Sequence, residues 1–173
     1  MRVLTNYING AKVASSSAET SPVIDPATGA AYCLAPKSNS ADVDAAMKAA
    51  ADAFVSWKET TPSERQLLLL KVADAFEAHA NELVDAECQN CGKPKQLTLD
   101  EEMGPMIDQI RFFAGACRLL EGKAAGCYMK DHFSMIVREP VGVCAQVTPW
   151  NYVRRAHPFS LPFALLPSAS AVL

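Results

Sequence analysis

The apolar residues alternate at the start of the chain, take a helical period through its middle, and return to alternation after Gly126. Tyr7 and Ile8, the Asn9-Gly10 turn signal and Lys12-Val13 predict a small hairpin over residues 6 to 13. Ser15 to Ser21 is a polar connection, and Val23-Ile24 followed by Asp25-Pro26-Ala27-Thr28-Gly29 predicts a short strand ending in a turn. A helical period then takes over. Val43, Met47, Ala50, Phe54 and Trp57 fall on one stripe, with Ser40, Asp42 and Asp44 supplying a cap and first-turn negative charge. Thr61-Pro62-Ser63-Glu64 is a capping box with proline at the first helical position, leading into Leu69, Val72, Phe76 and Ala80. A shorter helix is predicted over Glu82 to Gln89, stopping before Gly92 and Pro94. A long stripe of Met103, Met106, Ile107, Ile110, Phe113, Cys117 and Leu120 closes at Gly122. Its methionines read as core packing rather than a metal or cofactor box.

After Gly126 the period shortens to two. Tyr128 to Val137 alternates loosely and predicts a hairpin strand with one wet face, punctuated by Pro140 and Gly142. Val143-Cys144-Ala145-Gln146-Val147 is a mostly apolar run, as expected of a strand covered on both faces in a parallel sheet. No second such strand is visible, so these residues predict a lone buried strand and a chain that is mostly helical.

Composition narrows the function. The 173 residues are 50% hydrophobic and 20% charged with net charge -3, which suits a packed domain and argues against a disordered chain. Sixteen basic against nineteen acidic residues, with no dense basic run, give no footprint for nucleic acid. No apolar run reaches membrane-spanning length, and Met1 to Gly10 lacks the apolar core of a signal peptide, so the expectation is a soluble, cytoplasmic protein. Charge is uneven: residues 1 to 151 carry fourteen basic and nineteen acidic groups, whereas the last 22 carry Arg154, Arg155 and no acid.

Six cysteines invite a metal or disulfide reading, but only Cys88 and Cys91 form a CxxC, and no second pair completes a zinc site. That pair follows a helical run, the wrong helix end for lowering a thiol pKa. His79, His132 and His157 are dispersed, and neither GxGxxG nor GxxxxGK occurs. Thr148-Pro149-Trp150-Asn151 stands out by its place directly after the apolar strand. Ligands of open α/β sheets lie beyond the carboxyl ends of strands, and the Asn151 side-chain NH2 can donate to an oxyanion.

The segment from Arg138-Glu139-Pro140-Val141-Gly142 through Val143 to Thr148-Pro149-Trp150-Asn151-Tyr152 resembles the aldehyde dehydrogenase family. Upstream matches occur in the family's order: Asn6-Tyr7-Ile8-Asn9-Gly10, Asp25-Pro26-Ala27-Thr28-Gly29, Cys91-Gly92-Lys93-Pro94 and Arg111-Phe112-Phe113-Ala114-Gly115. Arg111 to Gly126 with Val147 to Tyr152 is most similar to the aminobutyraldehyde and betaine-aldehyde branch. The resemblance implies an incomplete α/β fold, with helices and hairpins in front of only the first strand of the dinucleotide-binding sheet. It also implies NAD(P)-dependent oxidation of a small aldehyde to the acid, with Asn151 as oxyanion donor. Val147, Thr148, Pro149, Trp150 and Asn151 would lie along NAD or NADP, and the hairpin at about 128–138 would belong to the oligomerisation sheet of a homo-oligomer.

The resemblance ends at residue 152. Val153-Arg154-Arg155-Ala156-His157 replaces the family's continuation, no lysine follows Lys130, and residues 153–173 read as a divergent tail foreign to the fold. None of the six cysteines matches the family nucleophile, and the general-base glutamate has no match, so the chain is expected to be inactive alone. A truncated gene, a shifted reading frame near codon 153 or a misassembled gene would each give this pattern. The alternatives are a non-enzymatic truncated paralogue acting as an interaction module and, last, a metal or redox module at Cys88 and Cys91.

Overall fold

A computed structural model describes residues 1–119 and 125–148 and the backbone of 170–172. Two short strands open the chain, β1 (Arg2–Val3) and β2 (Asn6–Ile8), and β2 pairs antiparallel with β3 (Ala11–Val13). Asn9 and Gly10 both have positive φ, the backbone a two-residue hairpin turn requires. β4 (Thr20–Ile24) pairs antiparallel with β5 (Ala31–Pro36), and β1 joins the other edge of β5 in parallel. Between β4 and β5 the Asp25 side chain accepts from the Ala27 N–H at 2.8 Å, closing an Asx turn.

Five helical segments follow: α1 (Ser40–Trp57), α2 (Pro62–Ala78), α3 (Ala80–Cys91), α4 (Lys95–Thr98) and, after a π-helical turn over Leu99–Met103, α5 (Gly104–Ala116). The α2 cap is the one its sequence spells out. Thr61 Oγ1 accepts from the Glu64 N–H at 3.3 Å, while Glu64 accepts from the Thr61 N–H at 2.7 Å. The α1 cap departs from expectation, because Asn39 rather than Ser40 takes the N-cap. Asn39 is extended, its amide oxygen accepts from the Asp42 N–H at 3.2 Å, and its own N–H donates to Asp42 at 3.1 Å. Asp42 also accepts from the Ser15 hydroxyl at 2.6 Å and the Ser16 N–H at 2.8 Å, so the polar connection is pinned to the helix start. These donors, led by Ser15, hold the Asp42 carboxyl down at about 2.

The core is a helical seam. Leu69 and Ala73 of α2, Val84 of α3, Met103 of the π turn, and Met106, Ile107, Ile110 and Ala114 of α5 form one buried cluster with Cys117. Arg65 is buried beside it. Its Nε donates to Thr60 Oγ1 at 2.8 Å, its Nη2 donates to the Trp57 carbonyl at 3.1 Å, and its guanidinium stacks over the Trp57 ring. Burial pushes the Arg65 pKa down and the Cys117 thiol up. At the far end, Lys93 donates to Glu87 at 2.8 Å and Glu102 at 2.9 Å, tying α3 to the π turn. Burial lowers the Lys93 pKa, and the two carboxylates more than offset it.

Three expectations are corrected. The α1 stripe is not a continuous buried face. Trp57 packs on the seam and Ala50 is buried, but Val43 is 54% exposed, because the helix leaves the seam to lie along β2 and the later strands. The last long helix ends at Ala116, short of Gly122, and Leu120 and Gly122 lie outside the described residues. The hairpin is β6 (Gly126–Met129) and β7 (His132–Ser134), shorter than 128–138, and its residues are exposed on both faces apart from Gly126. No described helix is long and apolar enough to cross a membrane.

Two local devices yield tests. Gly92 caps α3 at φ 73°, donating to the Cys88 carbonyl, and a Cβ there would come within 2.9 Å of Pro26 Cγ in the β4–β5 turn. Gly29 shares the left-handed backbone at φ 70° with open space around it. Gly92→Ala is therefore expected to cost more than Gly29→Ala in urea denaturation, about 1–3 kcal/mol, since only Gly92 adds a clash to the backbone strain. Equal losses would contradict the docking of turn on helix. For Asp42 the folded pKa lies below the ordinary 3.8, so its contribution is complete above about pH 4 and fades as pH falls toward 2. Asp42→Asn should lower stability at neutral pH and flatten its dependence between those limits, measured by thermal melts across the acid range.

Candidate functional site

The segment expected to carry chemistry begins where Gly142, at φ 123°, turns the chain into β8 (Val143–Cys144). That backbone region is open to glycine and little else. β8 pairs in parallel with β9 (Ser170–Val172), Val143 opposite Ser170 and Cys144 opposite Val172. This corrects the expectation of a lone strand: the residues between, 145 to 169, exceed the dozen a parallel crossover needs. The strand is also shorter and wetter than the predicted buried run. Val143 and Cys144 are half-buried, Ala145 is exposed, and Val147 is 100% exposed. A parallel pair is protected only when both faces are covered, and α1 packs against β8 and β9.

Beyond β8 the described chain reaches Thr148, which is half-buried. Gln146 lies between exposed neighbours, and its side-chain carbonyl Oε1 is buried without a hydrogen-bond donor among the described residues. A buried acceptor in that state costs about 1–3 kcal/mol of desolvation. Composition reading missed this group, although the signal was present as one amide in an otherwise apolar run. Of the predicted site residues, Val147 and Thr148 thus lie three and four residues past the carboxyl end of β8. Pro149, Trp150 and Asn151 lie outside the described residues, as does Tyr152.

The other candidates are dispersed. Cys88 donates to Thr98 Oγ1 at 3.7 Å, and Cys91 donates to the Glu87 carbonyl at 3.0 Å, both at the C-terminal end of α3 where the helix dipole opposes a thiolate. His79 pairs with Glu82 on an exposed surface, His132 lies against the Lys130 carbonyl in the hairpin turn, and His157 is outside the described residues. Among the described residues no group of three or more His, Cys, Asp or Glu is arranged to hold a metal ion.

The aldehyde dehydrogenase family model matches residues 12–173, nearly the whole chain. The chain belongs to the aldehyde dehydrogenase family. The match runs through residues 153 to 173, so the likeness does not stop at residue 152 as expected. Within that stretch, which looked foreign by charge and proline content, Ser170–Val172 forms β9. Among aldehyde dehydrogenases, the chain is 37% identical over 148 residues to the NADP/NAD-dependent aldehyde dehydrogenase PuuC of Escherichia coli, covering 84% of this chain and 30% of that protein. It is 33% identical over 171 residues to an aldehyde dehydrogenase of Vibrio cholerae, covering 99% of this chain and 34% of the relative. The NAD+ complex of aldehyde dehydrogenase from Bacillus cereus superposes with a TM-score of 0.89 at 32% identity, over 99% of this chain and 35% of that one. The chain spans about a third of the length of the curated relatives it matches.

The unpaired carbonyl gives the site its test. Gln146→Met keeps the side-chain volume and removes the unsatisfied acceptor, so the chain should gain roughly 1 kcal/mol, read as a rise in melting temperature. A fall would show that the acceptor is satisfied.

Proposed function

We propose that this chain is the N-terminal, cofactor-side portion of an NAD(P)-dependent aldehyde dehydrogenase that oxidises a small, amino-substituted aldehyde to its acid. The observation that carries the reading is the parallel pairing of Val143–Cys144 with Ser170–Val172, with Val147 and Thr148 three and four residues past the carboxyl end of β8. That is the edge along which open α/β sheets receive ligands. Two features of the described residues support a dinucleotide there. Val147 is fully exposed, free to lie against a flat ring or ribose, and Thr148 carries a hydroxyl. In this reading Val147, Thr148, Pro149 and Trp150 hold the cofactor, whose part when bound is to accept hydride. The Asn151 side chain donates to the substrate oxygen while that oxygen carries negative charge. The amino-aldehyde preference rests on Arg111 to Gly126 with Val147 to Tyr152, the stretches most similar to the aminobutyraldehyde and betaine-aldehyde branch.

The 173 residues alone are proposed to be inactive. An oxyanion donor acts only on an intermediate that a nucleophile has formed, and none of the six cysteines stands where the family's nucleophile does. The general-base glutamate also has no match. Oligomerisation through the hairpin belongs to the same reading. Tyr128, Met129, Phe133, Met135, Ile136 and Val137 are all exposed, more apolar surface than a strand turned to water ordinarily carries. That surface equally supports a second reading, a non-enzymatic module that binds intact subunits through its hairpin.

The test is NADH formation from aminobutyraldehyde. The purified 173-residue chain should give none above a blank, and turnover that Asn151→Ala abolishes would overturn the proposed inactivity. In a complete enzyme carrying this segment, Asn151→Ala should lower kcat by roughly 10²–10³-fold with little change in KM. An unchanged kcat would remove Asn151 from the chemistry.

A further inference from the structure

We draw no further inference here: the strongest candidate, the open cleft between the Asn6–Ile8 strand and the first turns of the Ser40–Trp57 helix, has its one charged side chain, Asp42, already held by Ser15, Ser16 and Asn39, and nothing in the structure shows what covers it.

Discussion

Burial of α5 along α2 is what holds the helical part of the chain together. Leu69, Ala73, Ile110 and Ala114 are fully buried where the two helices meet, and Val84 brings α3 onto the same cluster. Helical propensity alone would leave segments of this length marginal in water, so each helix owes its persistence to the face it buries against the others. Arg65 extends the seam toward α1 by stacking on Trp57 and donating to that residue's carbonyl. Its charge stays buried because Thr60 and the Trp57 backbone and ring replace part of the water it gives up.

The strand pair that bears the candidate site lies outside this cluster. Helix α1 connects the two: its last residue, Trp57, packs on the seam, and its body touches β8 and β9. Among the described residues, the parallel pair lies against α1, as one layer of an α/β arrangement does. A chain spanning about a third of its aldehyde dehydrogenase relatives therefore already holds the beginning of a sheet and the loop position at its carboxyl end. The Cys88 and Cys91 thiols are engaged with Thr98 and the Glu87 carbonyl at the C-terminal end of α3, where the helix dipole opposes a thiolate.

What could be read from the sequence was what local chemistry determines. Asn9-Gly10, the Thr61 to Glu64 box and the Gly92 stop each decide a backbone conformation within a few residues, and each stands where it was expected. The α1 cap was not readable in this way. Ser40 and Asn39 are both good caps, and the choice fell to Asn39 in a cluster where Ser15 and Ser16 arrive from more than twenty residues upstream. The π turn over Leu99–Met103 was hidden because Met103, Met106, Ile107 and Ile110 keep the spacing of an ordinary helix. β9 escaped because Pro158, Pro162, Pro167 and the basic pair before them made the last residues look unlike the rest, whereas a three-residue strand needs only its own few positions. Of the candidate site, the family motif pointed to Val147 to Asn151, of which Val147 and Thr148 lie among the described residues. The unpaired Gln146 carbonyl depends on what packs around it, which no periodicity reports.

The arrangement on which the candidate site rests is the parallel pairing of Val143–Cys144 with Ser170–Val172. Interstrand nuclear Overhauser effects in the isotope-labelled 173-residue chain test it most directly. Cross-strand contacts joining Val143 to Ser170 and Cys144 to Val172 in parallel register are expected. Helical contacts across residues 143 to 147, or an antiparallel or absent pairing with 170 to 172, would contradict it.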